Sequence, residues 1–315
     1  KVPDERLDWL AEYYHPKKYS PATIEFVDVA GVSKGGKGNE VFQAIRQTDA
    51  LVHVVRCFDN DEIFLEKADA RRDAEAFDLE MILADIEIVE RRLERAKKNA
   101  KSGDKKYKRE CEMCEALIEH LSDGKAARSF DFTEEDEDIL TDGGLMTVKP
   151  VIYAANLDED GMANYSDNAN FKALSELAGE QGAAVLPVAA KFEEDIAEMD
   201  PDEAKMFMED LGLTETGLNR LIKTSYDLLG YISFLTAGED DVHAWTIVRG
   251  TKAPKAAGKI HTDIERGFIR AEIVAFEDLK ACGSMAAAKE KGLFRLEGKD
   301  YVMQDGDVTN FRFNV

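Results

Sequence analysis

One short stretch, Asp28-Val-Ala-Gly31, combines residue types that could do chemistry with a suitable position. It follows the apolar run Thr23-Ile-Glu-Phe-Val27, which has the length and composition of a buried strand. Such a strand would deliver the Asp28 carboxylate to the edge of a sheet, beside a glycine whose bare backbone can approach a ligand. In nucleotide hydrolases a pair of this kind serves a magnesium ion and the terminal phosphate, whereas elsewhere Asp and Gly after a strand are ordinary turn residues.

Further apolar runs of strand length follow this stretch, at Leu51–Phe58, Val148–Asn156 and Ala183–Ala190. Helical patterns separate the runs, including one over Phe171–Gln181, so this part of the chain predicts a parallel sheet with helices on both faces. In such sheets ligands bind beyond the carboxyl ends of the strands. We therefore expect Asp28, Asn156 and Ala190 to lie at one edge of the sheet.

Between the runs at 51–58 and 148–156, apolar residues recur in alternating steps of three and four, the pattern of a coiled-coil seam. The pattern comprises Leu79, Ile82, Ile86, Val89, Leu93, Ala96 and Ala100, then Tyr107, Cys111, Cys114, Ile118 and Leu121. Ser102-Gly-Asp104 interrupts it, which predicts an antiparallel helical hairpin whose first helix has about 25 residues and is nearly 40 Å long. Cys111 and Cys114 then belong to the seam, an interpretation we prefer to a zinc site because no partner ligands with metal spacing are near.

From Gly230 the composition shifts towards short strands and glycine turns, which predicts a separate α+β domain of about 85 residues. The predicted strands are Ile232–Thr236, Ala244–Val248, Ile273–Phe276, Tyr301–Met303 and Val308–Val315. At the other end of the chain, Asp4 is a candidate cap for a helix over Pro3–Tyr14.

The acidic composition, with a net charge of -23, argues against a broad nucleic-acid face because binding to phosphate backbones relies on clustered Lys and Arg. It leaves room for a local basic patch. No apolar run approaches the roughly 20 residues that cross a bilayer, and Lys1–Leu7 lacks the features of a signal peptide. We therefore expect a cytoplasmic protein without a membrane partner.

Five stretches are informative both in their residues and in their order along the chain: Asp28-Val-Ala-Gly31, His53-Val-Val-Arg-Cys-Phe-Asp-Asn60, Asn156-Leu-Asp-Glu-Asp-Gly161, Gly258-Lys-Ile-His-Thr-Asp263 and Lys299-Asp-Tyr-Val-Met-Gln-Asp-Gly-Asp307. In residues and order they closely resemble the Obg-like ATPases of the YchF type, over essentially the whole chain. The resemblance implies an α/β fold with a P-loop-type sheet, an inserted antiparallel coiled-coil arm and a C-terminal ubiquitin-like β-grasp domain called TGS. The expected domains are a nucleotide-binding domain at 1–75 and 129–229, the arm at 76–128 and the TGS-like domain at 230–315.

The resemblance also implies an adenine site, which would comprise Asn156, Leu157 and Glu159, with Ala190 and Lys191 near the base. Guanine-specific relatives carry Asn-Lys-x-Asp, whose aspartate accepts two hydrogen bonds from the guanine edge. Here Leu157 replaces the lysine and Glu159 the aspartate, and a longer carboxylate cannot occupy the same position. The implied preference is for ATP, and the alternative is that the motif only turns the chain after a strand.

On the phosphate side, the resemblance implies that Asp28 holds Mg²⁺ through water and that the Gly31 N–H senses the γ-phosphate, with K⁺ as an optional further ion. Ras-like enzymes follow this glycine with a glutamine that orients the attacking water, but this chain has Val32. Because valine cannot orient water, we expect slow hydrolysis that depends on another group, an ion or a partner.

The chain contains no Gly-x-x-x-x-Gly-Lys-Ser/Thr sequence, and Gly35-Gly-Lys-Gly38 has no Ser or Thr to bind magnesium. We interpret the residues as an incomplete record of a longer protein that carries the P-loop. The implied function is an ATPase of the translation-factor class that docks on the large ribosomal subunit or the whole ribosome. The alternative is a non-catalytic adaptor that contacts ribosomal RNA or protein through the arm and the TGS-like domain. The candidate RNA patch comprises Arg249, Lys252, Lys255, Lys259, His261 and Arg266.

Overall fold

The computed structural model of the chain describes residues 1–29, 38–60, 65–101, 103–142, 144–210 and 213–314. They form two compact units, one of Lys1–Phe26 with Leu218–Val315 and one of Val27–Gly217. The first 26 residues therefore belong with the C-terminal unit, which differs from the domain boundaries expected from the sequence. Within the described ranges, no helix combines the length and apolar composition that a membrane span requires.

Fourteen α-helices lie in the described residues: α1 Glu5–Tyr14, α2 Gly38–Arg46, α3 Ala70–Ala100, α4 Lys105–Ser122, α5 Glu137–Asp142, α6 Glu159–Ala163, α7 Ala169–Gln181, α8 Ala190–Glu198, α9 Pro201–Asp210, α10 Gly217–Leu228, α11 Ala253–Ile260, α12 Thr262–Arg266, α13 Phe276–Cys282 and α14 Met285–Glu290. Short 3₁₀ helices occupy Ala127–Ser129, Glu134–Asp136 and Tyr165–Asp167.

The described strands are β1 Lys18–Ser20, β2 Leu51–Arg56, β3 Val151–Asn156, β4 Ala184–Val188, β5 Tyr231–Ala237, β6 Asp241–Val248, β7 Phe268–Ala275, β8 Arg295–Glu297 and β9 Asp307–Phe313. They form a three-stranded sheet in the order β2-β3-β4 and a six-stranded sheet in the order β1-β6-β5-β9-β7-β8.

The smaller sheet confirms the predicted parallel arrangement, because β3 pairs in parallel with β2 on one side and β4 on the other. Its central strand is the most apolar: Val151 to Ala155 are all buried. Val151, Tyr153 and Ala155 pack on one face with Leu174 and Leu177 of α7 and with Ala74 near the start of α3, and Ile152 and Ala154 are buried as well. A continuous apolar run is what a strand covered on both faces requires.

The predicted strand over Thr23–Val27 is wrong, because residues 21–29 have no strand assignment. Within the described ranges, no ladder pairs this segment with a neighbour, and Phe26 and Val27 are 44% and 58% exposed. An apolar run becomes a strand only where adjacent backbone groups accept and donate its hydrogen bonds.

Helices α3 and α4 form the predicted antiparallel hairpin, with Gly103 at a φ of 83° in the turn and Asp104 capping α4. The first helix has 31 residues and is therefore about 46 Å long. Its seam buries Ile82 and Val89 against residues of α4 that include Cys114, and Ala96 further along α3 is buried as well. The prediction for Leu79 is wrong: its side chain is 50% exposed, because the preceding residue, Asp78, faces inward at the root of the hairpin.

The C-terminal unit wraps its sheet with α1 and α10–α14, and Leu7 and Leu10 of α1 are wholly buried in one of its cores. Strand β1 pairs in parallel with β6, a pairing that the sequence did not predict. Tyr301–Met303 is not a strand, since only an isolated bridge joins Val302 to Lys252. The predicted cap of α1 is confirmed, because the Asp4 side chain accepts from the Arg6 N–H.

The four cysteines yield a prediction about thiol reactivity. Cys57 and Cys114 are buried, and burial raises their pKa values to about 12 and about 11, whereas Cys111 and Cys282 are partly exposed. Since the thiolate is the reactive form, about 1 in 10⁴ Cys57 side chains is ionised at pH 8. We expect two thiols to react quickly with Ellman's reagent in the folded protein and all four in denaturant. Peptide mapping that finds Cys57 labelled as fast as Cys111 would contradict this.

Candidate functional site

The parallel strands end level with one another, since Asn156 at the end of β3 lies opposite Arg56 of β2 and Val188 of β4. Hydrogen bonds continue past the strands: the Cys57 N–H donates to the Asn156 carbonyl and the Leu157 N–H to the Val188 carbonyl, both at 2.8 Å. The segments that follow β3 and β4 therefore leave the sheet side by side. This edge is where ligands bind in open α/β sheets.

Asn156 joins the two segments directly. Its Oδ1 accepts a hydrogen bond from the Ala190 N–H at 3.1 Å, at the first residue of α8. Leu157 has a different role, because it is only 3% exposed and packs in the core between sheet and helices. The structure thus brings Asn156, Leu157 and Ala190 together, and the buried Leu157 side chain anchors the segment that follows β3 to the core.

Glu159 is exposed at the first residue of α6, where its carboxylate is open to solvent. Asp158 caps this helix, as its Oδ1 accepts from the Gly161 N–H at 2.8 Å. The cap fixes the direction in which α6 leaves β3. Glu159 consequently stands three residues beyond Asn156 on a defined helical turn.

Substitution of Gly161 tests the importance of this turn. A Cβ at this position would lie 2.5 Å from the Asp158 Oδ1 that caps the helix, so Gly161→Ala must displace the cap. Loss of the cap costs about 1 kcal/mol and offsets the gain in helix propensity that alanine brings, so we expect Gly161→Ala to leave stability about unchanged and to weaken nucleotide binding. Gly179→Ala is the matched control, because a Cβ there meets no atom within 4 Å and should stabilise α7 by up to about 1 kcal/mol. Thermal denaturation of both variants checks this, and a Gly161→Ala protein stabilised as much as Gly179→Ala would contradict it.

Lys191, the second residue of α8, is exposed and paired within its own helix. Its Nζ lies 3.0 Å from Asp195 Oδ1 and 3.1 Å from Glu194 Oε2. Hydrogen bonds to Asp195 and then Glu194 raise the pKa of Lys191 to about 12. The side chain is therefore a fixed positive charge beside Ala190, with two carboxylates as its present partners.

Asp28 is exposed in the segment at 21–29, and among the described residues it makes no hydrogen bond or ion pair with Asn156 or Ala190. Its neighbour Val29 packs against Val41, Ile45 and Met81. Gly31 and Val32, for which the sequence predicted catalytic consequences, lie outside the described residues.

A magnesium ion that is bound together with a nucleotide needs few ligands from the protein itself. Mg²⁺ in such sites takes one or two carboxylates, and phosphates and water complete its octahedron. The exposed Asp28 offers one hard oxygen ligand of this kind. Within the described residues, no group of three or more His, Cys, Asp or Glu side chains forms a metal cage that would bind the ion without a nucleotide.

Two asparagines that the sequence reading missed connect this edge to the helical arm. Asn168 caps α7 and donates from Nδ2 to the Cys57 carbonyl at 3.1 Å, just beyond β2. Asn170 Oδ1 accepts from the Ala70 N–H at 2.9 Å, at the start of α3. An asparagine immediately before a helical pattern is a cap signature, so Asn168 was detectable, whereas the bond from Asn170 to a residue 100 positions away was not.

The candidate RNA patch is partly neutralised. Lys252 pairs with Asp300 at 2.8 Å, Lys255 with Glu265 at 2.7 Å, and His261 Nδ1 lies 3.4 Å from Asp263. The remaining members, Arg249, Lys259 and Arg266, are exposed.

Comparison with known proteins places the chain among its relatives. The family YchF-GTPase_C, described as a protein of unknown function (DUF933), matches residues 231–314. The "Ribosome-binding ATPase YchF" of Bacillus subtilis (strain 168) is 50% identical over 322 residues, which cover all of this chain and 88% of the relative. The chain belongs to the YchF family. The protein of the same name from Haemophilus influenzae is 46% identical over 321 residues, again covering all of this chain and 88% of the relative.

A solved structure of the family, the YchF GTPase of Schizosaccharomyces pombe, matches with a TM-score of 0.89 and 34% identity, over 99% of this chain and 86% of that one. This match confirms the expected fold class: a mixed α/β protein with a parallel sheet and a C-terminal YchF-type domain of the TGS kind. Sequence identity and fold thus both support the membership of this chain in the YchF family.

Proposed function

We propose that this member of the YchF family binds ATP, hydrolyses it slowly and associates with ribosomes. The observation that carries the proposal is the hydrogen bond from the Ala190 N–H to Asn156 Oδ1, which joins the two strand-end segments assigned to the base. Family membership supports it, because relatives 45–50% identical to this chain are named ribosome-binding ATPases.

Selection of adenine rests on Glu159 in the proposed site. A guanine-reading aspartate accepts two hydrogen bonds from one base edge, whereas adenine offers no matching pair of donors there. Glu159 carries its carboxylate one methylene further from the helix, so it does not reproduce that acceptor pair. Asn156 holds the two segments in place, and Ala190 and Lys191 border the base from the α8 side.

On the phosphate side, Asp28 would hold Mg²⁺ through water and the Gly31 N–H would sense the γ-phosphate. The bound ion would neutralise phosphate charge during transfer. Val32 offers no hydrogen bond to a water molecule, which is the reason for proposing a slow intrinsic rate, with K⁺ or a ribosomal partner supplying the missing group.

Association with ribosomes makes the cytoplasm the proposed location. The proposed contact is with the large subunit or the whole ribosome, and Arg249, Lys259 and Arg266 are the members of the candidate patch that would contact RNA. Because Lys252, Lys255 and His261 already pair with acids, this RNA contact would be narrow.

Two assays on the native full-length protein test the proposal. We expect ATP turnover that ribosomes accelerate, together with cosedimentation of the protein with ribosomes in sucrose gradients. Charge reversal with Lys259→Glu and Arg266→Glu should weaken cosedimentation, while Lys255→Glu serves as the paired-lysine control. Cosedimentation without ATP binding, in a protein whose intact mass shows Lys1 as its first residue, would favour the adaptor function instead.

A further inference from the structure

The far end of the helical arm, residues 91–109, is strongly basic. It contains ten Lys or Arg residues and only two acids, Glu94 and Asp104, which gives it a net charge of +8 in a chain whose total is -23. The parts of the arm nearer the sheet have the opposite sign. Residues 73–90 of α3 contain seven acids and residues 110–122 of α4 contain four, and neither segment contains a Lys or Arg. Positive charge is therefore concentrated at 91–109, which we call the basic tip.

The separation of charge along the arm has a cost in helix stability. Solvent-exposed helices are usually stabilised by acids and bases that pair three or four residues apart. In the basic tip, Arg91 and Arg95 of α3 are four residues apart, and so are Lys105 and Arg109 of α4. Like charges at this spacing destabilise a helix. A function that requires positive charge at this end of the arm would account for the arrangement.

Most of these charges are not neutralised by acids of the same unit. Three basic side chains form close ion pairs, at 2.6 to 2.8 Å: Arg92 with Glu110, Lys97 with Glu115, and Arg109 with Glu135. Six others are exposed and form no ion pair with any residue that the structure describes: Arg91, Arg95, Lys98, Lys101, Lys105 and Lys108. The basic tip therefore presents positive charge that an external partner could use.

Three of the unpaired side chains form a row. Arg91, Arg95 and Lys98 follow one another in steps of four and three, which places them on one face of α3 over about 10 Å of its length. The helix begins at Ala70, in the core around the parallel sheet, and Arg91 lies about 32 Å further along its axis. The row is therefore separate from the candidate nucleotide site at the strand ends.

The basic tip lacks the apolar groups that other acidic partners would need. Among its described residues, no large apolar or aromatic side chain is exposed, and Leu93 and Tyr107 are both partly buried. Protein interfaces have an apolar core, and helices that bind membranes present an apolar face. Proteins that bind unpaired bases use aromatic rings for stacking. Charge without apolar surface suits the closely spaced phosphates of a nucleic-acid backbone.

We propose that the basic tip binds the phosphate backbone of ribosomal RNA, chiefly through Arg91, Arg95 and Lys98, a proposal that rests on the association with ribosomes put forward above. Contacts of this kind position a protein without reading the base sequence. The helical arm would then hold the RNA contact about 30 Å from the start of α3. This surface is distinct from the candidate patch on the C-terminal unit.

Cosedimentation of the native full-length protein with ribosomes, over a range of salt concentrations, tests the proposal. The tip variant combines Arg91→Gln, Arg95→Gln and Lys98→Gln, which remove three charges and keep good helix formers on α3. We expect it to bind ribosomes at least about 10-fold more weakly at about 0.1 M salt. Because each phosphate contact contributes nearly one unit to the slope of log affinity against log salt, that slope should fall by about 2 to 3.

The matched control combines Lys125→Gln, Lys172→Gln and Lys205→Gln, which remove three exposed lysines from elsewhere in the same unit. The control changes the net charge of the protein equally, and we expect it to keep the wild-type salt slope. Melting temperatures show whether each variant is folded. The tip variant should bind ATP as the wild type does, since the row of basic residues is remote from the strand ends.

Protein-free RNA of the large subunit distinguishes RNA from a protein partner. We expect the wild-type protein to bind this RNA and the tip variant to lose most of that affinity. The proposal is overturned if a folded tip variant cosediments as the wild type does. It is also overturned if the tip variant loses ribosomes but the wild type does not bind the RNA, the result expected for an acidic ribosomal protein as partner. A wild-type protein that does not cosediment with ribosomes would overturn the proposed function together with this one.

Discussion

Replacement of Asp85 with alanine should lower the free energy of unfolding of the unit formed by residues 27–217 by about 3 to 5 kcal/mol. Asp85 lies on α3 and is wholly buried. Its carboxylate accepts from the Met146 N–H at 2.9 Å and from the Thr147 N–H and Oγ1 at 2.8 and 2.7 Å. Without it, these donors are buried and unpaired, and each such loss costs about 1–3 kcal/mol.

Burial raises the pKa of Asp85, while the hydrogen bonds from Met146 and Thr147 oppose that shift. Because the folded carboxyl holds its proton more tightly than the unfolded one, the stability due to this group falls as pH rises through the interval between the two pKa values. Urea unfolding followed by circular dichroism measures the mutational effect. Glu87→Ala, at an exposed position of the same helix, should change stability by less than about 0.5 kcal/mol. Equal midpoints for the two variants would contradict the stabilising role of the hydrogen bonds that Asp85 accepts.

Replacement of Asn156 with alanine should weaken ATP binding by at least about 10-fold, or about 1.4 kcal/mol. The change removes the acceptor of the Ala190 N–H, so the segments after β3 and β4 lose the side-chain bond that joins them. It also removes the proposed contact with the base. Equilibrium binding of labelled ATP to the full-length protein measures the loss.

Asn164→Ala is the matched control, because Asn164 is exposed near the end of α6 and makes no capping hydrogen bond. Its ATP affinity should equal that of the wild type. A folded Asn156→Ala protein with unchanged ATP affinity would show that the two segments do not need the bond and that the base is bound elsewhere.

The parallel sheet and the hairpin arm were predictable because the strands and helices that form them have recognisable local sequence patterns. Val151 to Ala155 form an apolar run long enough for a buried strand, and the spacing from Ile82 to Ala96 fixes the face that α3 buries. The position of Asn156 at a strand end follows from the same run. These patterns depend only on residues close in sequence.

Features that depend on distant partners were not predictable. The short polar strand Lys18–Ser20 exists because it pairs with residues 241–243, more than 200 positions away, and the pairing assigns the N-terminal helix to the C-terminal unit. Conversely, Thr23–Val27 has strand composition but no described neighbour to pair with. Asp78 and Asp85 are both buried, and they are seven residues apart on one face of α3. Two acidic residues one heptad apart were therefore the sequence signal for the polar groups buried at the root of the arm, and our sequence analysis missed it.

The preference between ATP and GTP is the most direct test of the proposed function. Equilibrium competition on the full-length protein, with magnesium present, should show ATP bound at least about 10-fold more tightly than GTP. Glu159→Asp, which restores the shorter carboxylate of guanine-specific relatives, should narrow that ratio without altering the melting temperature, because Glu159 is exposed. Tighter binding of GTP than ATP by the wild-type protein would contradict the assignment of Asn156 and Glu159 to an adenine site.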